Sequence, residues 1–181
     1  MTKDEIRKYI RFQKSLLDEE TRISHSLKIF HFLEQLPSFN LSKNILSYYS
    51  LPDEVFTKAF LENWYIEKNI FLPKIIDDEI RIVKYSNTDS LNVGKYNILE
   101  PNNDIYYSLE NMDLAIIPAV AIDKGGNRIG RGKGYYDRLL TSSKVTKIGI
   151  VYNFQIVDNI EWNKYDVPLD YAITENGILK F

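Results

Sequence analysis

The sequence contains no cysteine, only two histidines and no long apolar run. The lack of cysteine excludes disulfide bonds and thiolate metal sites, and it suits a reducing compartment. No apolar run approaches the roughly 18 residues that a membrane-spanning helix needs, so we expect no membrane segment. The chain begins Met-Thr-Lys-Asp-Glu and no apolar segment follows, so we expect no signal peptide and a cytoplasmic protein.

An excess of charge of one sign is also missing. The 23 Lys and Arg residues are balanced by 25 Asp and Glu, which gives a net charge of −2. Such a chain lacks the overall positive field of a nucleic-acid-binding protein, so we expect no nucleic-acid partner and only a local anion site. The 181 residues fit one domain, residues 1–181, which we expect to be a monomer.

The pattern of apolar residues predicts helices that alternate with strands. Helical spacing over residues 3–17 predicts one amphipathic helix, and a second is predicted from the N-cap Asp18 to Pro37. A third helix is predicted to begin at Pro52, and a fourth is predicted to cover residues 135–140. The polar stretch 86–111 is predicted to be a long loop. The predicted strands are 45–49, 70–73, 80–84, 114–118, 147–152 and 178–181. This alternation predicts an α/β fold with one sheet and helices on both faces.

Glycine is concentrated in one segment. The chain has eight glycines, and five of them (125, 126, 130, 132 and 134) lie within ten residues, interleaved with Arg128, Arg131 and Lys133. Glycine permits positive φ and a close approach of the backbone to a ligand. Backbone N–H groups, three cations and the start of the following helix would together form an anion nest, so residues 125–137 predict a phosphate-binding loop.

Known phosphate motifs do not fit this segment. A Walker A loop requires glycine at Asn127 and Ser or Thr at Gly134, and a dinucleotide-binding Gly-x-Gly-x-x-Gly requires glycine at Asp137. The plain structural alternative is a solvated turn between a strand and a helix. Turns rarely combine five glycines with three cations, so we favour the phosphate-binding interpretation.

Residues 123–138, Asp-Lys-Gly-Gly-Asn-Arg-Ile-Gly-Arg-Gly-Lys-Gly-Tyr-Tyr-Asp-Arg, resemble the signature of the 5-formyltetrahydrofolate cyclo-ligase (methenyltetrahydrofolate synthetase) family. Other segments resemble the family in the same order along the whole chain. They are Lys3 to Arg7, residues 48–54, 71–74, 100–101 and 149–155, and the acidic motif 166–170. Tyr165 and Asn97 depart from the family pattern, where His and Gly are usual, and both lie outside the glycine segment.

The resemblance implies an α/β enzyme, a three-layer α/β/α sandwich around a mostly parallel sheet. It implies a ligase that uses ATP as co-substrate and Mg²⁺ to convert 5-formyltetrahydrofolate to 5,10-methenyltetrahydrofolate, with release of ADP and phosphate. The formyl oxygen is a poor leaving group until it is phosphorylated. Phosphoryl transfer is mostly positioning and charge neutralisation, which suits a loop of N–H donors and cations without an evident nucleophile.

The resemblance also implies roles for individual residues. Arg131 and Lys133 are expected to be catalytic and to bridge ATP and the formyl oxygen. Tyr49 and Glu54 are expected to bind the folate, and Asp137 and Asp166 to bind Mg²⁺. The expected ATP-binding residues are Lys3, Asp4, Glu5, Ile6, Arg7, Arg128, Ile129, Gly130, Arg131, Gly132, Lys133, Gly134, Tyr135 and Tyr136.

Structural interpretations compete with several of these roles. Asp137 and Glu54 each stand where a carboxylate stabilises the start of a predicted helix, and Asp166 is compatible with a solvated acid. A sugar-phosphate isomerase or acyl-CoA transferase would use a similar anion loop without ATP hydrolysis, and fold analogy does not exclude it. An RNA-binding module with Arg-Gly repeats is a further alternative, which the net charge of −2 disfavours.

Overall fold

The computed structural model describes residues 1–181, apart from the side chain of Tyr96. Sequence features explain where the first helices begin. The hydroxyl of Thr2 and the carboxylate of Glu5 form a capping box at the first helix, and the carboxylate of Asp18 accepts from the N–H of Thr21 at the second. The helices are α1 (Lys3–Ser15), α2 (Glu19–Glu34), α3 (Pro37–Leu41), α4 (Lys58–Trp64) and α5 (Tyr135–Leu140). Among the described residues, none of these helices is long and apolar enough to cross a membrane.

The strands form one large sheet and two small ones. They are β1 (Asn44–Leu46), β2 (Asn69–Ile76), β3 (Glu79–Lys84), β4 (Leu91–Val93), β5 (Leu99–Pro101), β6 (Tyr106–Tyr107), β7 (Leu114–Pro118), β8 (Ala121–Asp123), β9 (Arg128–Ile129), β10 (Thr146–Ile150), β11 (Ile156–Val157), β12 (Tyr171–Thr174) and β13 (Gly177–Lys180). The large sheet has the order β13-β12-β10-β7-β1-β2-β3-β6, and the small ones are β11-β8-β9 and β4-β5. Strands β12, β10, β7, β1 and β2 pair in parallel, whereas β13, β3 and β6 add antiparallel edges, which confirms the mostly parallel sheet.

The large sheet is covered on both faces, as a parallel sheet requires. Successive residues of β1 show the two layers: Ile45 packs in the core shared with α2, α3 and α4, and Leu46 in the core shared with Leu140 of α5. The three-layer α/β/α sandwich is therefore confirmed. Helix α1 stands apart from both layers, because its buried Ile6 and Ile10 pack against Ala121 and Ile129 of the small sheet β11-β8-β9.

Two parts of the predicted secondary structure are wrong. Pro52 begins a turn instead of a helix, and α4 starts only at Lys58. The N–H of Ser50 donates to the hydroxyl of Thr57 (2.9 Å) and the N–H of Thr57 to the hydroxyl of Ser50 (3.1 Å), which closes residues 50–57 into a loop. The stretch 86–111 carries the short strands β4, β5 and β6. Strands β8, β9, β11 and β12 were also missed, as was the short helix α3, which begins at Pro37 where a helix was predicted to end. Strands of two to four residues leave too little periodicity to recognise.

Candidate active site

A cavity of about 420 Å³ opens at the carboxyl ends of the parallel strands. Pro118 at the end of β7 and Tyr48 and Tyr49 just beyond β1 form part of its wall, and the segment between β9 and α5 forms another part. Ligands of open α/β sheets bind at this edge, because the loops that follow neighbouring strands converge there. The position of the glycine segment beside the cavity agrees with the sequence interpretation.

The first two glycines of the segment serve a β-hairpin, which corrects the expectation of one continuous phosphate loop. The buried carboxylate of Asp123 accepts from the N–H groups of Gly125 and Asn127, both at 2.9 Å, and so closes the turn between β8 and β9. Gly126 has φ +83°, and a Cβ there would meet Phe181 at 2.8 Å. The positive φ and the close approach of Phe181 explain Gly126 without a ligand, whereas a Cβ at Gly125 would make only ordinary contacts, the nearest at 3.4 Å to Asp123 Oδ1.

The phosphate-binding prediction therefore narrows to residues 130–134, which link β9 to α5. Gly132 and Gly134 have φ of +96° and +67°, conformations that L-residues rarely adopt, and Gly134 is the N-cap of α5. Residues 131–134 are exposed, and their backbone N–H groups have no hydrogen-bond acceptor within the described part of the chain. A short backbone segment with N–H donors available and the side chains of Arg131 and Lys133 alongside is suited to an anion.

Arg131 connects this segment to the loop after β1. Its guanidinium donates to Glu54 Oε1 (3.0 Å from Nη2 and 3.2 Å from Nε) and from Nη2 to Asp53 Oδ1 (2.6 Å). The other oxygen of Asp53 accepts from Lys14 of α1 at 3.1 Å. Burial alone would raise the pKa of Asp53, but Lys14 and Arg131 outweigh it and lower this pKa below its usual value. The sequence analysis missed Asp53 and Lys14, since nothing local in the sequence pairs them with Arg131.

Helix α1 contacts the glycine segment and the C-terminal acidic motif. The Nε of Arg7 donates to the carbonyl oxygen of Gly130 at 3.0 Å, and Lys3 Nζ lies 2.7 Å from Asp166 Oδ2. Asp4 pairs with Arg7 at 2.6 Å, so this part of the predicted ATP-binding set does lie beside the segment. The side chains of Glu5 and Ile6 are engaged within the protein: Glu5 caps α1, and the Ile6 side chain is buried in the small core.

Arg128 lies beneath the segment as a buried cation. Its side chain is 4% exposed, and it donates to Asp137 Oδ1 (2.8 Å) and to the carbonyl oxygen of Val167 (2.7 Å). The N–H of Val167 also donates to Asp137 Oδ1, at 3.2 Å. Arg128 and Asp137 therefore fasten the start of α5 to the acidic motif that begins at Asp166.

The neighbouring predicted ATP-binding residues divide between core and surface. Ile129 is buried in the core that α1 shares with the small sheet. Tyr136 lies against the second large core, and burial raises its pKa well above the ordinary value, so the phenol stays neutral. Tyr135 donates its hydroxyl hydrogen to Asp78 Oδ1 at 3.1 Å, which ties the start of α5 to the turn between β2 and β3. Both tyrosines line the cavity.

The two predicted magnesium ligands differ in whether they line the cavity. Asp166 does not line it; its Oδ2 accepts from Lys3 and from the N–H of Asn163 (3.0 Å), and its Oδ1 has no hydrogen-bond partner among the described residues. Asp137 lines the cavity, and its Oδ2 has no hydrogen-bond partner among the described residues. No cluster of three or more His, Cys, Asp or Glu residues suited to a metal occurs in the described part of the chain. One carboxylate that lines the cavity beside the exposed loop fits Mg²⁺, which commonly takes one or two carboxylates and completes its shell with phosphate oxygens and water.

The remaining wall of the cavity is largely apolar and aromatic. Tyr49 lines it, as do Pro73, Ile75, Ile80 and Leu99, and Glu54 stands among them with a side chain that is only 13% exposed. The second oxygen of Glu54 accepts from the N–H of Leu51 at 2.9 Å. An apolar slot that presents a single carboxylate is suited to a flat heterocycle with N–H groups. The structure thus brings the two predicted folate residues to the same cavity as the glycine segment.

Comparison with known proteins identifies relatives along almost the whole chain. The profile of the 5-formyltetrahydrofolate cyclo-ligase family matches residues 1–175. The 5-formyltetrahydrofolate cyclo-ligase of Mycoplasma genitalium is 36% identical over 89% of this chain and 86% of its own. A probable 5-formyltetrahydrofolate cyclo-ligase of Schizosaccharomyces pombe is 28% identical over 99% of this chain and 98% of its own. The solved structure of Aquifex aeolicus 5,10-methenyltetrahydrofolate synthetase superposes with a TM-score of 0.90 at 34% identity, covering 99% of this chain and 93% of that one.

Proposed function

The chain belongs to the 5-formyltetrahydrofolate cyclo-ligase family, and we propose that it converts 5-formyltetrahydrofolate to 5,10-methenyltetrahydrofolate with ATP as co-substrate. The observation that carries this proposal is the segment 130–134, whose exposed residues 131–134 carry N–H donors and cations beside a largely apolar cavity large enough for a heterocycle. The match of the cyclo-ligase family profile over residues 1–175 argues against the isomerase, transferase and RNA-binding alternatives.

The reaction proceeds in two stages. The γ-phosphoryl group of ATP moves to the formyl oxygen, which breaks the bond to ADP and leaves an electrophilic formyl carbon, bonded to N5 and to the phosphorylated oxygen. The N10 nitrogen then attacks that carbon, loses its proton, and expels the oxygen as inorganic phosphate. The protein has to align three groups and to neutralise the charge on the transferring phosphoryl oxygens, and it requires no covalent intermediate of its own.

Arg131 and Lys133 are the residues that we propose to neutralise that charge. Both belong to the segment in which glycines allow the backbone to approach phosphate oxygens. Arg131 reaches Glu54 across the cavity wall, so it lies between the proposed phosphate and folate sides. A preorganised cation directed at developing negative charge stabilises the transition state more than the ground state.

The nucleotide side is proposed to involve α1. Lys3 and Arg7 stand next to the segment, and Arg7 is fixed by its bond to the carbonyl oxygen of Gly130. We also propose that ATP is contacted by Asp4, Glu5, Ile6, Arg128, Ile129, Tyr135 and Tyr136. For the residues whose side chains are buried or engaged elsewhere, contact through the backbone is the simplest form of that proposal.

On the folate side, Glu54 would accept hydrogen bonds from the N–H groups of the pterin, and Tyr49 would pack on or beside the ring. Mg²⁺ would be held by Asp137 through Oδ2, with Asp166 nearby, and would neutralise phosphate charge. A single compact domain, a monomeric state, a cytoplasmic location and the absence of a nucleic-acid partner remain proposals that rest on the composition.

The test is an absorbance assay for 5,10-methenyltetrahydrofolate, with ATP and Mg²⁺ omitted in turn. Product should form only in the complete mixture, and ADP and phosphate should appear in equal amounts with it. Protein carrying Arg131→Ala, purified in parallel, controls for enzyme carried over from the expression host. Failure to form any ATP-dependent product, at enzyme concentrations near those of the substrates, would contradict the proposed function.

A further inference from the structure

A second, smaller cavity adjoins the first. It has a volume of about 170 Å³ and is walled in part by Arg7, Arg11 and Asp53. Three residues line both cavities: Lys14, Val120 and Arg131. The smaller cavity therefore carries Arg7, one of the two α1 cations proposed for the nucleotide side, and the larger one carries the proposed folate residues Tyr49 and Glu54. Lys14 and Arg131 are the charged residues at the boundary between them.

Lys14 is unusually enclosed for a lysine on a surface helix. Its side chain is 9% exposed, whereas Lys8 on the same helix is exposed. Burial lowers the pKa of Lys14, and the ion pair with Asp53 opposes that effect. Lysine is rarely buried unless it is paired or has a function, because an ammonium group loses much hydration energy on burial. Ile10, one turn before Lys14, is buried in the small core and holds this part of α1 against the domain.

Lys14 and Arg131 already share one oxyanion. The two oxygens of Asp53 accept from Lys14 at 3.1 Å and from Arg131 at 2.6 Å. This geometry shows that a single group with two negatively charged oxygens can bridge both cations at hydrogen-bond distance. A phosphoryl group presents oxygens in a comparable arrangement, and such a group has to cross the boundary between nucleotide and folate during the proposed reaction.

We propose that Lys14 is a further catalytic residue, which contacts the phosphoryl group as it passes from the nucleotide to the formyl oxygen, opposite Arg131. The inference rests on the proposed function and deepens it, because it assigns the point of transfer to the boundary of the two cavities. Lys14 supplies a point charge to one side of the phosphoryl group and Arg131 a planar donor to the other. Asp53 positions both cations before the phosphoryl group arrives.

The experiment compares Lys14→Met with the matched control Lys8→Met on the same helix. Steady-state and single-turnover rates of product formation are measured with both substrates varied, and melting temperatures are recorded. We expect Lys14→Met to lower kcat by about 10²–10³-fold, the usual loss when one preorganised contact to developing charge is removed, with each KM changed only a few-fold. Lys8→Met should match the parent, and Lys14→Arg should recover part of the lost rate, because it restores a positive charge.

Two further variants separate catalysis from a structural role. Asp53→Asn breaks the same ion pair but leaves the charge of Lys14, so it should slow turnover far less than Lys14→Met does. Lys14→Gln retains an N–H donor to Asp53 without the charge and takes the place of Lys14→Met if the latter does not fold. Equal losses in Asp53→Asn and Lys14→Met, or a kcat for both neutral Lys14 variants near that of Lys8→Met, would overturn the inference. In that case an active parent enzyme would leave the proposed function intact, whereas an inactive parent would contradict the function itself.

Discussion

Replacing Asp137 with asparagine tests whether the two oxygens of one carboxylate have different roles. Oδ1 accepts from Arg128 at 2.8 Å and from the N–H of Val167 at 3.2 Å, and the Arg128 side chain is 4% exposed. Asparagine keeps the size and one acceptor but removes the charge that pairs with a buried guanidinium. A hydrogen bond to a charged group contributes about 1.5–3 kcal/mol, and Arg128 keeps its bond to the carbonyl oxygen of Val167. We therefore expect a destabilisation of about 1–3 kcal/mol.

The same substitution should change the magnesium dependence separately. For a domain of this size, each kcal/mol lowers the melting temperature by about 2–4 °C, so thermal unfolding should shift by about 2–12 °C. If Oδ2 of Asp137 binds Mg²⁺, the concentration that gives half-maximal activity should rise about 10-fold, which corresponds to about 1.4 kcal/mol of binding free energy. Thermal unfolding without ligands and a Mg²⁺ titration of activity measure the two effects independently.

The control is Asp158→Asn, which breaks an exposed ion pair with Lys124 and should change neither property by more than a small amount. An unchanged melting temperature of the Asp137 variant would refute the argument that Oδ1 fastens the start of α5. An unchanged magnesium midpoint together with a lower melting temperature would make Asp137 purely a structural residue.

Four further variants test other parts of the site. Arg131→Ala and Lys133→Ala should each lower kcat by about 10²–10³-fold, and near-normal turnover of folded protein would show that these charges are not used. Glu54→Gln should raise the KM for the folate more than the KM for ATP. A small rise in the KM for ATP is also expected, because the substitution weakens the contact with Arg131. Equal changes in both KM values would count against a folate role. The double variant Lys3→Ala, Arg7→Ala should raise the KM for ATP by about 10- to 150-fold and change the KM for the folate much less. An unchanged KM for ATP would show that these two cations do not bind ATP.

Local signals in the sequence were enough to predict the elements that frame the site. The apolar run of residues 114–118 predicted the central strand β7, and the bounds of α5 were predicted as observed. Both signals are local, because a buried parallel strand needs a continuous apolar run and a helix after glycines begins where the glycines end. The concentration of glycine predicted one loop over residues 125–137, but it did not show that Gly125 and Gly126 belong to a hairpin.

The features of the site that the sequence did not predict depend on contacts between residues that are distant in the sequence. Arg131 bonds to Glu54 across 77 positions and to Asp53 across 78, and Lys14 reaches Asp53 across 39. No local pattern specifies such pairs, since each residue taken alone resembles an ordinary surface charge. The loop of residues 50–57 illustrates the same limit. Pro52 followed by two acids is a good helix start by local preference, but the reciprocal bonds between Ser50 and Thr57 decide the outcome.

The position of α1 has a consequence for how the enzyme acquires activity during folding. The two cores of the large sheet contain no buried residue of this helix, whose Ile6 and Ile10 pack in a separate cluster with Ala121 and Ile129 of the small sheet and with Ile160. Yet Lys3 meets Asp166 across 163 positions and Arg7 meets Gly130 across 123, so the site is complete only after the first residues of the chain have docked beside some of the last. Contacts of such long sequence separation form late and slowly. In a refolding experiment, circular dichroism of the sheet should therefore recover before catalysis does, and the interval between them would report the docking of α1.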